Sequence, residues 1–284
     1  MLERIYVEIG NICNLSCSFC QGTTRKKGMM SQDDFRLVLD RIAGKTKFIY
    51  LHVMGEPLLH PSLGAMIGIA RSHALPVCIT TNGTLLSDRG EAILDNSDAV
   101  HKVSISLHAP EGNSITDLDT YLSSCCDFAK KASDKGIYVV FRLWNEDSAE
   151  GLGQNSQNEY IEAYLKRSFD GEWQKRVRGF RIAKNVFLEY DGVFTWPSSS
   201  KASPKEEGYC HALSSQIAIL CDGSVLPCCL DSNGELELGN IFKTDLDTIM
   251  SSERVAAMKK GFESGKMVEE MCKKCTFARK FKIR

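Results

Sequence analysis

The chain has 284 residues, enough to bury a sizeable apolar core without help from disulfides. Its 35 basic and 36 acidic residues leave a formal net charge of −1, which argues against a partner held by bulk charge, such as nucleic acid or an anionic membrane surface. We find no apolar run of about eighteen residues and no basic-then-apolar N-terminus, so we expect no transmembrane helix, no secretory signal and a cytoplasmic protein.

Short β-like runs alternate with longer helical patterns over the first part of the chain. Helices are predicted after the N-cap Ser31 and after Ser62, and others near residues 85–95, 116–134 and 157–168. The predicted strands cover residues 5–9, 47–54, 77–81, 99–107, 137–143 and 179–189. This alternation predicts an α/β fold with a parallel sheet, and six units fit a partial (β/α)6, TIM-like barrel rather than a closed eight-unit one.

A smaller domain is predicted to follow the barrel. Segments 145–158 and 197–208 are rich in Ser, Asn, Gly and charge, and they are expected to be surface loops. The second loop marks the expected boundary between a domain over 1–195 and a domain over 196–284. Within the second domain, Asp222-Gly223 predicts a β-hairpin, and a helix is expected near 245–262.

Closely spaced cysteines are the unusual feature of this chain. It has twelve cysteines, and in a reducing compartment such groups bind metal more often than they form disulfides. Cys13, Cys17 and Cys20 follow the first predicted strand with the spacing C-x3-C-x2-C. Three thiolates can hold an iron–sulfur cluster and leave one metal corner open, as catalytic metal sites require. The alternative interpretations are a zinc knuckle and thiols that are close together by chance.

This cysteine spacing, with Phe19 before the third thiol, resembles the signature of the radical S-adenosylmethionine (radical SAM) superfamily. The resemblance implies a [4Fe-4S] cluster whose open iron chelates the amino and carboxylate groups of SAM. It also implies reductive cleavage of SAM to a 5′-deoxyadenosyl radical, which abstracts hydrogen from a substrate.

Further matches to this superfamily stand at the ends of the later predicted strands. The Met-Gly-Glu-Pro turn after the second strand resembles the family's Gly-Gly-Glu turn without its first glycine, and Thr-Asn-Gly follows the third strand. Each match also has an ordinary explanation, such as a β-turn, a solvated carboxylate or a surface salt bridge. The residues that the resemblance assigns to SAM binding are Gly55, Glu56, Asn82, Ser104, Ser106 and Arg142. His108 is either structural or a substrate contact.

The C-terminal cysteines predict a second cluster. They resemble the SPASM/twitch extension of the same superfamily, and the short tail after Cys275 favours the twitch form with one auxiliary [4Fe-4S] cluster. The expected ligands are Cys210, Cys228, Cys272 and Cys275. Cys221 or Cys229 could replace one of these four, and a structural zinc site is the alternative to an iron–sulfur cluster.

The resemblance implies an enzyme, and its reaction is open between two classes. The first is an oxidoreductase that dehydrogenates a small molecule and passes an electron to the auxiliary cluster. The second is a peptide- or protein-modifying enzyme that forms thioether cross-links or epimerises residues. The first strand begins so early that we expect no N-terminal peptide-binding domain, which favours a small molecule. A flavodoxin or ferredoxin is the expected electron donor. A non-catalytic iron–sulfur carrier would leave the open corner of the first cluster unexplained.

Overall fold

The computed structural model describes residues 1–113, 115–147, 153, 155–197 and 203–280. The strands are β1 (Leu2–Val7), β2 (Thr46–Tyr50), β3 (Val77–Thr81), β4 (Val100–Ser106), β5 (Tyr138–Glu146), β6 (Gln174–Arg176), β7 (Gly179–Ala183), β8 (Val186–Gly192), β9 (Gln216–Ile219), β10 (Ser224–Leu226) and β11 (Gly239–Asn240). The helices are α1 (Gln32–Ile42), α2 (Leu63–Ser72), α3 (Leu86–Arg89), α4 (Glu91–Leu94), α5 (Leu118–Asp134), α6 (Asn158–Ser168), α7 (Leu246–Met250), α8 (Glu253–Glu263) and α9 (Glu270–Lys273).

Two compact units make up the chain. The first consists of Met1–Ile12, Gln21–Gly55 and Phe194–Arg284, and the second of Cys13–Cys20 and Glu56–Val193. The sequence-based division into 1–195 and 196–284 stays a prediction. The predicted α/β class with parallel strands is confirmed in both units.

In the first unit, the strand order is β11-β10-β9-β1-β2. Strand β1 is parallel to both neighbours, so that Ile5 pairs with Ile49 on one side and with Ile217 on the other. The hairpin predicted at Asp222-Gly223 joins β9 to β10, and Gly223 has a φ of 85°, which favours glycine. Strand β9, from the C-terminal part of the chain, is therefore a parallel neighbour of the N-terminal strand β1.

In the second unit, β3, β4, β5 and β8 are parallel neighbours, and β7 and β6 continue from β8 as antiparallel strands. The single strand predicted over 179–189 is wrong, because β7 and β8 form a hairpin there. Asn185 makes the reversal with a φ of 55°, a left-handed conformation that asparagine tolerates. Val103, Ile105 and Phe141 are fully buried and form part of the core of this unit.

Several boundaries differ from the predicted ones. The helix predicted over 85–95 is broken at Gly90 into α3 and α4, and the helix predicted over 245–262 is broken before Ser252, whose side chain caps α8. Strand β2 ends at Tyr50 instead of Met54. Ser31 caps α1 as predicted, accepting a hydrogen bond from the Asp34 amide at 3.0 Å.

Parts of both predicted surface loops, residues 148–152, 154 and 198–202, lie outside the described residues. Within the described ranges, no helix combines the length and the apolar character needed to cross a membrane.

Candidate functional site

The three N-terminal cysteines share one short loop. Cys13 and Cys20 are exposed and Cys17 is half-buried. The amide of Leu15 donates to the Cys13 sulfur at 3.4 Å, and the amide of Cys20 donates to the Cys17 carbonyl at 3.0 Å. Burial raises the pKa of Cys13 and of Cys17, and the neighbouring thiols raise both further. Cys13 and Cys20 are therefore close enough to Cys17 to influence its charge. As the side chains stand within the described residues, the three sulfurs are not arranged to hold a metal ion.

Two asparagines hold this loop from outside it. The side-chain amide of Asn113 donates to the Cys17 sulfur at 3.1 Å. Asn82 donates to the Asn14 side chain at 3.0 Å and to the Cys13 sulfur at 3.9 Å. Asn82 was assigned to SAM by resemblance, and the structure places it against the cysteine loop. Asn113 was missed, since a Gly-Asn pair in a sequence indicates only a turn.

Glu56 is a buried carboxylate that joins two turns. It is 4% exposed, and its oxygens accept hydrogen bonds from the amide of Leu58 at 3.0 Å and from the amide of Asn82 at 2.7 Å. Burial raises the pKa of Glu56, although these hydrogen bonds act in the opposite direction. Gly55 before it has a φ of 83°, and a Cβ there would lie 2.5 Å from the Gly10 carbonyl oxygen, so only glycine fits.

Polar side chains line one face of β3, β4 and β5. Thr80 pairs with Ser104, and Ser106 pairs with Arg142, so all four residues share that face. The Arg142 guanidinium donates to the Thr80 hydroxyl at 3.4 Å and lies 4.2 Å from the centre of the Trp144 ring. The Ser104 hydroxyl is fully buried and has no hydrogen-bond partner in the part of the chain that the structure describes.

This polar face fits a SAM molecule chemically. A buried hydroxyl is satisfied when a polar ligand group reaches it, and a guanidinium matches a carboxylate. The predicted SAM-binding residues, apart from Gly55, belong to the same compact unit as the cysteine loop. Their roles stay predictions.

His108 is buried behind the cysteine loop. Its Nδ1 contacts the Arg142 carbonyl at 3.1 Å, and its ring centre lies 4.9 Å from that of Phe19. Burial lowers the pKa of His108 to about 4, so the ring is neutral near pH 7. This environment favours the structural interpretation of His108 over a substrate contact.

The C-terminal thiols form a second group, in the first unit. Burial raises the pKa of Cys272, and the thiols of Cys210 and Cys275 add to that shift. Burial also raises the pKa of Cys228, and the thiols of Cys229, Cys210 and Cys272 add to that shift. As the side chains stand, no set of three His, Cys, Asp or Glu residues within the described ranges is arranged to hold a metal ion, so the ligand assignment stays a prediction.

The two alternative ligands have other neighbours. The amide of Cys221 donates to the Glu8 carboxylate at 3.4 Å, and burial raises the pKa of the Cys221 thiol to about 11. Cys229 packs beside Tyr6, which hydrogen-bonds to its sulfur. The contacts of Cys221 with Glu8 favour the four predicted auxiliary ligands over a set that includes Cys221. Cys229 lies near Cys210 and Cys228 and stays an alternative ligand.

A buried ion pair beside Cys221 was missed in the sequence. Glu8 is fully buried and accepts a hydrogen bond from the Arg25 guanidinium at 2.7 Å. Glu8 also accepts from the Met54 amide at 3.0 Å, and Arg25 donates to the Ser232 carbonyl at 2.9 Å. The alternation of β1 places Glu8 on the same face as Tyr6, but nothing in the sequence identifies Arg25 as its partner.

Two family models match the chain. The model described as "Radical SAM superfamily" matches residues 7–152, and the SPASM model, described as "Iron-sulfur cluster-binding domain", matches residues 210–276. The second match contains all four predicted auxiliary ligands.

The curated relatives differ in reaction and in coverage. The S-adenosyl-L-methionine-dependent 2-deoxy-scyllo-inosamine dehydrogenase of Niallia circulans is 23% identical over 97% of this chain and 93% of its own length. The tungsten-containing aldehyde ferredoxin oxidoreductase cofactor-modifying protein of Pyrococcus furiosus is 35% identical over 31% of this chain, which spans 26% of that protein. The antilisterial bacteriocin subtilosin biosynthesis protein AlbA of Bacillus subtilis is 24% identical over 87% of this chain and 59% of its own.

Solved structures share the fold at low identity. BtrN in complex with AdoMet and 2-DOIA has a TM-score of 0.60 and 17% identity, over 97% of this chain and 93% of its own. Native anSMEcpe with bound AdoMet and a Cp18Cys peptide has a TM-score of 0.61 and 15% identity, over 98% of this chain and 87% of its own. These likenesses confirm the predicted partial-barrel fold.

Proposed function

The chain belongs to the radical SAM superfamily, and we propose that it is a dehydrogenase that oxidises a small molecule. Its cofactors are a radical SAM [4Fe-4S] cluster, S-adenosylmethionine and an auxiliary iron–sulfur cluster. The observation that carries the proposal is the end-to-end match to the Niallia circulans dehydrogenase, which covers 97% of this chain and 93% of that enzyme. A reduced flavodoxin or ferredoxin would supply the electron.

We assign the first cluster to Cys13, Cys17 and Cys20. Their loop is exposed, so SAM can reach an open iron, and Asn82 and Asn113 hold it at two points. When bound, this cluster and SAM supply a 5′-deoxyadenosyl radical that removes a hydrogen atom from a substrate carbon.

We assign SAM binding to residues of the turns after β2 and β3 and of the strands β4 and β5. Glu56 fixes the turn that carries Asn82, and its carboxylate also offers a partner for an ammonium group. Ser104 offers a buried hydroxyl, and Arg142 offers a guanidinium for a carboxylate. Gly55 and Ser106 complete the proposed set.

In the proposed oxidation, a substrate alcohol becomes a carbonyl compound. The alcohol carbon loses its hydrogen atom to the 5′-deoxyadenosyl radical, the hydroxyl loses its proton to solvent, and one electron remains to be removed. The thiolates of Cys210, Cys228, Cys272 and Cys275 would hold the acceptor of that electron. Thiolate ligation and burial set the potential of such an acceptor, and these four cysteines are half-buried.

Modification of a peptide or protein is the second candidate. It is favoured by the match to AlbA over 87% of this chain and by the shared fold of Streptococcus suis SuiB, whose solved forms include one bound to the precursor peptide SuiA. AlbA and SuiB are both longer than this chain, which covers 59% and 66% of them.

The test is anaerobic reconstitution followed by reduction with dithionite in the presence of SAM. With 2-deoxy-scyllo-inosamine or another aminocyclitol alcohol, we expect 5′-deoxyadenosine and a carbonyl product in equal amounts. Deuterium at the carbinol carbon should appear in 5′-deoxyadenosine. Cys17→Ala should abolish both products, whereas Cys126→Ala, at a buried thiol of α5, should not. Turnover with peptides alone would favour the second candidate.

A further inference from the structure

Asn113 makes three hydrogen bonds around one cysteine. Its side-chain nitrogen donates to the Cys17 sulfur at 3.1 Å and to the Ala109 carbonyl at 2.7 Å. Its side-chain oxygen accepts from the amide of Ser16 at 2.8 Å. An asparagine side chain has two N–H donors, so both donors are engaged and the amide orientation is determined.

The turn that carries Asn113 is held in place at both ends. It is a 3₁₀ turn over Glu111–Asn113, and the Asn113 amide donates to the Pro110 carbonyl at 3.0 Å. The Glu111 carboxylate accepts from the amide and the hydroxyl of Ser156, at 2.9 and 2.6 Å, and from Asn145 at 3.1 Å. These hydrogen bonds fix the position of the turn, and therefore the position of Asn113.

The turn also lies directly against the cysteine loop. A Cβ on Gly112 would be 3.3 Å from the Ser18 nitrogen and 3.5 Å from the Cys17 Cα. These distances are close to van der Waals contact, so the turn and the loop touch without a gap between them.

We propose that Asn113 is a positioning residue for the radical SAM cluster, which keeps Cys17 in its ligating position and raises the reduction potential of the cluster. The inference rests on the proposed function, in which Cys17 is a ligand. Reduction adds negative charge to the cluster and its sulfurs, and an N–H donor stabilises that charge more in the reduced state. Hydrogen bonds to the sulfurs are a recognised determinant of cluster potential.

Two substitutions separate the accepting role of Asn113 from its donating role. Asn113→Asp keeps an oxygen that accepts from Ser16, but it loses both donors, to Cys17 and to Ala109, and adds a negative charge. Asn113→Ser removes all three hydrogen bonds without adding charge, so a fall in potential in this variant reports the lost donor. The matched control is Asn96→Asp, because Asn96 bonds to Arg71 and Ala92 and contacts none of the cysteines in the described structure. The readouts are iron per chain, melting temperature and an anaerobic redox titration followed by EPR, in which the spectral change caused by SAM identifies the cluster.

In Asn113→Asp we expect the iron content of the unmodified protein and a lower potential. At a fixed solution potential, the ratio of reduced to oxidised cluster should fall about tenfold, which equals about 59 mV for a one-electron couple. In Asn113→Ser we expect the same direction, or loss of the SAM-sensitive cluster at an unchanged melting temperature.

An unchanged potential in both variants at full iron content would overturn the inference. Loss of iron together with a lower melting temperature would also overturn it, because Asn113 would then serve the fold alone. Failure of the proposed function is distinguishable, because absence of a dehydrogenated product leaves the redox potentials of these variants unaffected. Retention of the SAM-sensitive cluster in Cys17→Ala would instead remove the premise that Cys17 is a ligand.

Discussion

The Glu56 carboxylate and the Asn82 amide nitrogen are 2.7 Å apart, so one charge-assisted hydrogen bond joins the turn after β2 to the turn after β3. The same carboxylate also caps the short turn that begins at Pro57. The residue that the sequence motif offers as a ligand for SAM is therefore also part of the framework of the site.

Glu56→Gln is expected to weaken both stability and SAM binding. The substituted amide can present only one oxygen, which leaves a buried N–H without its acceptor and lowers the free energy of unfolding by about 1–3 kcal/mol. Urea denaturation and calorimetric titration with SAM measure the two effects. Glu91→Gln is the control, because Glu91 is exposed and pairs with Lys131 at 3.4 Å, a contact worth less than about 1 kcal/mol. Equal losses of stability and of SAM affinity in Glu56→Gln and Glu91→Gln would contradict this role of Glu56.

Ser104→Ala should separate stability from binding. The Ser104 hydroxyl is buried without a partner among the described residues, so its removal should leave the free energy of unfolding unchanged or raise it by up to about 1 kcal/mol. SAM affinity should fall about tenfold, as expected for one lost hydrogen bond. Ser133→Ala is the matched control, because the buried Ser133 hydroxyl donates to the Lys184 carbonyl. That variant should lose about 1 kcal/mol of stability and retain SAM affinity.

His108 should make stability depend on pH. Its pKa is lowered from 6.5 to about 4 by burial, so between these values the unfolded chain binds a proton that the folded chain does not. Its contribution is complete above pH 6.5 and is lost as the pH falls towards 4, by about 1 kcal/mol at about pH 5.5. Urea denaturation at pH 7.5 and 5.5 should show this loss in the unmodified protein and a smaller one in His108→Gln. His101→Gln is the control. Burial lowers the pKa of His101 as well, but this side chain is exposed, so the variant should lose nearly as much stability at pH 5.5 as the unmodified protein. An identical pH dependence in His108→Gln and the unmodified protein would refute the prediction.

Arg25→Met should be strongly destabilising. It leaves the Glu8 carboxylate buried without its cation, which costs about 3–5 kcal/mol. The double substitution Glu8→Leu with Arg25→Met should recover part of that loss, because no charge then remains buried. Lys47→Met breaks the exposed pair with Glu3 at 2.7 Å and should change stability by less than about 1 kcal/mol. If the double variant were no more stable than Arg25→Met, the unpaired charge of Glu8 would not be the cause of the loss, and the prediction would be wrong.

The auxiliary ligand set predicts different iron contents for single cysteine variants. Cys272→Ala should lose about half of the iron and keep SAM cleavage, because the first cluster has its own ligands. Cys221→Ala should keep all of the iron, since Cys221 lies beside Glu8 and Arg25. Iron analysis, Mössbauer spectroscopy and 5′-deoxyadenosine formation measure these outcomes. Full iron content in Cys272→Ala would rule out its assignment.

Local signals predicted local structure well. The cap at Ser31, the strand Val77–Thr81 and the hairpin at Asp222-Gly223 each depend on residues close in the sequence, and each is present. The reversal at Asn185 was missed because a single asparagine within an apolar run is a weak turn signal. The pattern of alternation alone does not distinguish one long strand from two short ones.

Contacts between distant residues account for most of what was missed. The cysteine motif identified the candidate cluster, but the bond from Asn113 to Cys17 depends on how a turn after β4 folds back. The ion pair of Glu8 with Arg25 depends in the same way on the path of the loop that follows Cys20. Spacing in the sequence carries no information about either pairing.

The pairing of β1 with β9 also determines when this protein can finish folding. Ile5 is synthesised well before its partner Ile217, which lies more than two hundred residues later in the sequence. Until then, one edge of β1 has unpaired backbone groups, which makes the nascent chain prone to pairing with other polypeptides. Products truncated before β9 should therefore aggregate, and a chaperone that covers this edge during translation should raise the yield of folded protein.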